Sequence, residues 1–599
     1  MEKKTKLRFF GIGRILPYLG DVKKMMLVMV LLALVSSVTD IMIPLYQRFA
    51  LNEFVGTGSF RALAPFLVAY ILTILTASLV NYISCTYATT IEMRISRVLR
   101  REGFRHLQTL SFSYFNQNSV GYIHARLISD TGRIGTLFSW TLIDCVWRIS
   151  YLVGATVVMI SLNPGLAAMV LSILPVLAVL FSVFQKRLIR VNREVREINS
   201  KITSNFNEGI TGAKTVKSLA IEEKMEARFR EETQNMRTKT VQAAKLRGLF
   251  SGTMHLASSV ALAIVLWKGG YIAGEEIGTY SVFMSYAQGM MEPLRWLVDI
   301  ISDLITTQVN IERFTNLMAV QSDVVDTPEV IEKYGDCFEP KKENWEPIRG
   351  DIAFRDVTFQ YPDGEETVLE NFSLDIPFGT RLAIVGETGA GKSTLVNLVC
   401  RFYEPTQGTV LIDGRDARER SQLWLHSAIG YVLQTPHLFS GTVRENLLMG
   451  NPGATEEQMW QAIRTVSAED VIAHLDKGLD TDVGEGGDLL STGEKQLISF
   501  ARAILADPRI LILDEATASV DTVTEARIQA ALEEVTQGRT CLMIAHRLST
   551  VRNADMILVV RDGKIVEQGT HAQLLAQKGY YHSLYTRQYE DETTAKLLG

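Results

Sequence analysis

Gly386-Glu387-Thr388-Gly389-Ala390-Gly391-Lys392-Ser393 is the stretch that decides the fold of the second half of this 599-residue chain. The apolar run Arg381-Leu382-Ala383-Ile384-Val385 before it predicts a buried strand, and Thr394-Leu395-Val396-Asn397-Leu398 after it predicts the start of a helix. A G-x-x-x-x-G-K-[ST] loop in that setting is a phosphate cradle. Its glycines let backbone N–H groups turn inward around an anion, and the helix N-terminus adds a favourable dipole. In such a loop Lys392 reaches β- and γ-phosphates and Ser393 holds Mg²⁺, so Gly386 through Thr394 are candidate nucleotide-binding residues.

Further motifs follow in order. Ile510-Leu511-Ile512-Leu513-Asp514-Glu515 is a second apolar strand ending in two acids. Asp514 fits the magnesium-side carboxylate, and Glu515 fits a base that orients or deprotonates the attacking water. Between the two strands, Leu489-Leu490-Ser491-Thr492-Gly493-Glu494-Lys495-Gln496 is a polar turn opening an amphipathic helix through Leu505. After Glu515 come Ala518-Ser519-Val520-Asp521 and then Cys541-Leu542-Met543-Ile544-Ala545-His546, a strand ending in histidine.

This ordered set resembles the nucleotide-binding domain of ABC transporters over about residues 348–590. The resemblance implies roles for single positions. Tyr361 is where the family stacks an aromatic ring on adenine. Gln434, in Tyr431-Val432-Leu433-Gln434, links Mg²⁺ and water to the transmembrane part. His546 is the switch histidine on the γ-phosphate, and Asp521 lies in the loop that crosses the dimer interface. Ser491 and Gly493 are signature residues that close over ATP held by the other subunit. Thr481-Asp482-Val483-Gly484-Glu485-Gly486-Gly487 is similar to the exporter-type cross-talk segment.

The front half is of different composition. The chain is 47% hydrophobic with a mean hydropathy of +0.11, and the excess lies before residue 310. Six stretches, near 24–46, 62–86, 134–161, 165–185, 249–273 and 278–305, approach the roughly 20 apolar residues that a bilayer span needs. A soluble core has no room for six in succession. These spans, taken with the resemblance, imply an all-α six-helix transmembrane domain of ABC exporter type, followed by an α/β P-loop NTPase domain. The expected boundaries are 1–318 for the membrane domain, 319–347 for a Pro-containing linker, 348–590 for the nucleotide-binding domain and 591–599 for a tail.

Met1 to Arg8 is basic, and the apolar residues after it suit an amphipathic elbow on the membrane surface better than a cleaved leader. Segments 91–106 and 186–247 are rich in Lys and Arg, whereas the short connections near 50–60, 162–165 and 269–277 carry few positive charges. The positive-inside rule then places both termini, the long segments and the ATPase domain in the cytoplasm of a cell-membrane protein. Tyr114 to Gly121 resembles the first coupling segment of ABC exporters, and Glu208 to Lys217 resembles the second. A net charge of −5 gives no reason to expect nucleic-acid binding, and the five cysteines (Cys85, Cys145, Cys337, Cys400, Cys541) show no metal or redox spacing.

The family's signature is Leu-Ser-Gly-Gly-Gln, whereas this chain has Leu490-Ser491-Thr492-Gly493-Glu494. Thr492 adds a Cβ, and Glu494 adds negative charge at a helix start that should attract phosphate. Altered signatures in the family often pair with a second half-transporter carrying the opposite defect. A heterodimer is therefore favoured over a homodimer, with membrane lipids and a transported substrate as the other partners. ATP-driven export of an amphipathic small molecule, peptide or lipid is the leading function. An exporter-shaped importer of metal chelates and a regulatory or ATP-gated subunit are the alternatives. Asp40, Asp144, Arg148, Glu292, Arg295 and Asp299 fall in or near apolar runs, where charge is expensive. The four-residue spacings Asp144/Arg148 and Arg295/Asp299 suggest internal ion pairs that hold helices together.

Overall fold

The computed structural model describes residues 11–272, 277–364, 366–514, 530, 532–544 and 551–587. Some side chains within 173–186, 261–272 and 294–302, including those of Arg295 and Asp299, lie outside that description, as does the tail 591–599. The chain divides into two compact units, 1–105 with 121–319, and 106–120 with 320–599.

The first unit is helical. Among the described residues, Ile12–Gly56, Leu63–Leu107, Val120–Leu162 and Glu222–Trp267 are long and apolar enough to cross a membrane. The apolar stretches expected at 165–185 and 278–305 fall on Pro164–Leu171 with Ile173–Thr211, and on Ile277–Gly289 with Met291–Ala319. The break before Pro164 has a local cause. Proline occupies the first helical turn, and the Asn163 side chain accepts from the N–H groups of Gly165 and Leu166, both at 3.1 Å. Large side chains such as Leu67, Val68, Leu72, Leu75 and Leu79 stand exposed along one helix, as a lipid-facing surface requires. Two buried clusters hold the helices together. Ile15 and Leu19 of the N-terminal segment pack with Ile91, Ile95, Leu99 and Phe314, and Tyr286 and Phe283 pack with Ala155, Met159 and Val265.

The intramembrane charges pair differently from the expected spacing. Arg148 binds Glu292 at 2.7 Å and not Asp144 one turn before it, while Trp147 Nε1 donates to Asp40 at 2.8 Å. The four-residue spacing puts Asp144 and Arg148 on one helix face, but a carboxylate on a neighbouring helix has taken the guanidinium.

The second unit is α/β. Its strands are β1 Ile352–Gln360, β2 Thr367–Ile376, β3 Arg381–Val385, β4 Gln407–Ile412, β5 Arg415–Asp416, β6 Ile429–Val432, β7 Ile510–Asp514, β8 Thr540–Ile544, β9 Met556–Arg561 and β10 Lys564–Gly569. An antiparallel sheet has the order β2-β1-β4-β5, and a six-stranded sheet has the order β10-β9-β3-β8-β7-β6. All pairs in the larger sheet are parallel except β9 with β10. Near-continuous burial of β3, β7 and β8 is what a parallel sheet covered on both faces demands. The carboxyl ends of β3, β6, β7 and β8 therefore lie along one edge, where open α/β sheets bind ligands.

The 319–347 stretch is anchored within this unit. Arg401, 2% exposed, donates to Asp326 at 2.7 Å, to Glu404 at 2.8 Å and to the Arg420 carbonyl at 2.9 Å. Thr327 then caps a helix over Pro328–Tyr334, and Trp424 Nε1 donates to the Glu346 carbonyl at 2.7 Å. Removing one partner from a buried ion pair typically costs about 3 kcal/mol, because the other charge is stranded. Asp326→Ala is therefore expected to lower the thermal midpoint of the nucleotide-binding unit, followed by differential scanning fluorimetry of the intact chain. An unchanged midpoint would mean that Glu404 alone satisfies Arg401.

Candidate active site

The phosphate loop joins β3 to the helix Lys392–Val399. A Cβ at Gly386 would run into the Val560 carbonyl of β9, so the loop can leave the sheet at that point only as glycine. Gly389 and Gly391 have φ of 87° and 102°, in the left-handed region that glycine alone enters without strain. Lys392 is buried, and its Nζ donates to the carbonyls of Gly386 at 2.7 Å and Glu387 at 2.9 Å. Burial pulls its ammonium below the ordinary lysine value, and the charge of Asp514 opposes that shift. Ala390 and Thr394 are buried, whereas Glu387, Thr388, Gly389 and Ser393 are exposed. A cradle that a Cβ would fill, a buried cation tied to its own loop and a helix N-terminus together fit a polyphosphate anion.

The sheet register sets the other candidates around this loop. Asp514 ends β7 opposite Ile544, and Ile384 of β3 also pairs with Ile544, so three strand ends align. Val432 pairs with Leu513, and Gln434 lies exposed just beyond the end of β6. Asp514 and Gln434 thus follow strand ends on the same edge as the loop, an oxygen-rich setting suited to a hard cation such as Mg²⁺. Glu515, Asp521 and His546 lie outside the described residues.

Tyr361 is held at its edge and its tip. Its hydroxyl shares a 2.9 Å hydrogen bond with Thr394 Oγ1, and its ring meets Phe359 and Tyr403 edge-on at 4.8 and 5.1 Å between centroids. Tyr403 had drawn no attention in the sequence. Its hydroxyl receives Asn116 Nδ2 at 3.0 Å, while Phe112 stacks on Phe402 at 5.3 Å. Ser113 donates to Asp323 within the same unit. The segment 106–120 is thereby packed into the unit that carries the loop, through a chain of contacts Asn116, Tyr403, Tyr361, Thr394. The available signal was the Phe402-Tyr403 pair just after the loop helix, where Arg401 turns the chain with φ of 52°.

The signature turn explains its own glutamate. Ser491 caps the helix Thr492–Leu505 with a reciprocal box, in which Ser491 Oγ accepts from the Glu494 N–H at 3.3 Å and Glu494 Oε2 accepts from the Ser491 N–H at 2.8 Å. The Ser491 hydroxyl also donates to Glu494 Oε2 at 2.8 Å. The N–H and hydroxyl of Ser491 are therefore engaged by a carboxylate of the same turn. Gly493 is buried at this helix start, and Thr492 is exposed. Lys495 Nζ donates to the Gly486 carbonyl at 3.3 Å, which ties the signature helix to the segment Thr481–Gly487.

The chain matches two family descriptions, ABC transporter transmembrane region over residues 26–294 and ABC transporter over residues 369–518. An uncharacterized ABC transporter ATP-binding protein of Bacillus subtilis (strain 168) is 33% identical over 96% of this chain and 94% of its own length. An ATP-dependent lipid A-core flippase of Salmonella typhimurium is 34% identical over 85% of this chain and 86% of its own. A bacterial Atm1-family ABC exporter solved with ATP bound superposes with a TM-score of 0.76, covering 95% of this chain and 98% of that one at 27% identity. With six apolar stretches ahead of a phosphate-loop unit in one polypeptide, this chain belongs to the ABC transporters as an exporter-type half-transporter.

Proposed function

We propose that this protein exports an amphipathic small molecule, peptide or lipid by alternating access, as one half of a dimer that sandwiches ATP between its two chains. It is a membrane-embedded ATP-driven transporter of the ABC exporter class, and exporters of that class work as dimers. The observation that carries the finer reading is the packing of 106–120, which continues directly from the apolar helix Leu63–Leu107, onto Phe402 and Tyr403 beside the phosphate loop. The flippase relative, named for a lipid A-core substrate, supports an amphipathic cargo. The membrane is the cell membrane, with both termini and the ATPase domain in the cytoplasm.

The residue roles follow from the site. Lys392 and the N–H groups of Gly386–Thr394 hold the phosphates, and Tyr361 packs against adenine. Ser393, Gln434 and Asp514 would hold Mg²⁺, which supplies neutralisation of phosphoryl oxygens when bound. Glu515 orients the attacking water, His546 meets the γ-phosphate, and Asp521 lies at the dimer seam. Ser491 and Gly493 close over ATP held by the partner. ATP binding then stabilises the closed dimer, and hydrolysis releases it.

The second coupling segment supports a domain-swapped arrangement. A short helix, Ala213–Leu219, joins Ile173–Thr211 to Glu222–Ile272 and buries none of its residues. Phe206, Ile210 and Leu219 around it are 56–62% exposed. Three large apolar side chains without cover at a helix turn suit docking on the ATPase unit of another chain.

The Ser491/Glu494 box favours a heterodimer. A carboxylate held on the Ser491 N–H and hydroxyl repels the γ-phosphate those donors would bind, so two copies of this signature make two weak sites. A partner with Leu-Ser-Gly-Gly-Gln would complete the site built on Glu515 and could itself lack the equivalent base.

Glu515→Gln is expected to keep nucleotide affinity while lowering ATP turnover by about 100-fold, since only the water-orienting group is lost. Equal turnover of the variant and the parent, measured by phosphate release in lipid, would remove Glu515 from that role. Glu494→Gln should raise the turnover of this chain purified alone by about tenfold, by relieving charge repulsion of about 1.4 kcal/mol while retaining a neutral cap. Fast turnover by the parent chain alone, unaltered by Glu494→Gln, would establish a competent homodimer instead.

A further inference from the structure

A cavity of about 410 Å³ opens among the helices Lys23–Ala50, Leu63–Leu107 and Val120–Leu162. Among the described residues its lining includes Asp40, Asn81, Ser84, Trp140, Asp144 and Trp147, and no lysine or arginine. At 1.5 Å per residue, Asp40, Asp144 and Ser84 lie roughly 24, 27 and 32 Å along their helices from the ends at Gly56, Leu162 and Leu63. Two carboxylates at that depth are costly unless something answers them.

Nothing among the described residues does so fully. Among the described residues Asp40 accepts one hydrogen bond, from Trp147, and Asp144 has Arg148 near it without a direct ion pair. The nearest cation, Arg148, gives its guanidinium to Glu292 at 2.7 Å and rests over the Trp147 and Trp296 rings. Ser84 is 5% exposed, and its hydroxyl has no partner. Trp140 has its N–H engaged by Glu92 at 2.9 Å, and Trp147 has its own engaged by Asp40. Neither indole offers the cavity a donor, and what remains is carbon and π surface. Two carboxylates beside indole carbon suit an organic cation, whose apolar body the rings can cover.

We propose that this cavity binds an organic cation with an aromatic or otherwise apolar body. Asp40 and Asp144 answer its charge, Trp140 supplies cation–π contact, and Trp147, whose ring already carries Arg148 and stacks on Tyr151, supplies apolar contact. Its volume suits a drug-sized ligand. The inference rests on the export reading and deepens it by naming a cargo class.

Tetraphenylphosphonium and tetraphenylborate, matched in shape and opposite in charge, test it. In nanodiscs of zwitterionic lipid carrying the full chain, tetraphenylphosphonium should bind saturably and tetraphenylborate should not. The double variant Asp40→Asn, Asp144→Asn should weaken that binding by about tenfold. Cys85 also lines the cavity, so the parent chain allows a test without a charge variant. With Cys145, Cys337, Cys400 and Cys541 replaced, tetraphenylphosphonium should slow maleimide reaction at Cys85 and tetraphenylborate should not. Equal binding of the two ions, or equal affinity of the double variant, would overturn the cavity as a cation site, as would an unaltered Cys85 rate. ATP-driven uptake of tetraphenylphosphonium into inside-out vesicles carrying the full chain with its partner half separates the two readings. Transport without saturable binding at the cavity overturns the cavity alone, whereas saturable binding without ATP-driven transport counts against the export reading and supports the cavity.

Discussion

Phe112 stacks on Phe402 and Asn116 donates to Tyr403, so a segment arriving from a 45-residue apolar-to-basic helix is packed as part of the unit that carries the phosphate loop. Tyr403 in turn faces Tyr361, and Tyr361 hydrogen-bonds Thr394 of the loop helix. A displacement of the loop helix when nucleotide binds must therefore either break these contacts or carry residues 106–120 along. Aromatic pairs and a single side-chain hydrogen bond are worth about 1 kcal/mol each. That is enough for a small shift to be transmitted and too little to lock the segment in place. In the proposed cycle this linkage turns ATP binding into helix movement.

The signature turn shows a local optimum opposing a functional one. A serine and a glutamate three residues apart form a good helix cap, and the cap satisfies backbone donors that would otherwise face solvent. The same geometry spends the Ser491 donors within its own chain. A glutamine at this position could cap equally without the charge. Glutamate adds favourable charge at the helix N-terminus and places that same charge where a phosphate would approach.

Much of this was legible in the sequence, because the motifs are made of local constraints. β3, the loop helix and the helix ending at Leu505 appear where a buried run, a glycine-rich turn and an amphipathic period place them. The six apolar stretches all fall on helices for the same reason. The partner choice of Arg148 was not legible, since Glu292 lies on a helix far along the chain and helical spacing points only to Asp144. Tyr403 was missed because an aromatic pair after a helix reads as ordinary packing until Asn116 is seen on its hydroxyl. The Ser491/Glu494 cap was present as a Ser-x-x-Glu pattern and could have been read as such.

In the proposed cycle the effect of bound nucleotide passes to the membrane helices through residues 112–116. Cys85 lies on the same helix that runs on to Leu107, so its alkylation rate in lipid reports on that helix. In the parent chain with the other cysteines replaced, ATP with Mg²⁺ should change the Cys85 rate. In the double variant Phe112→Ala, Asn116→Ala the change should vanish while ATP still binds. An ATP-dependent change of the same size in both proteins would contradict the account.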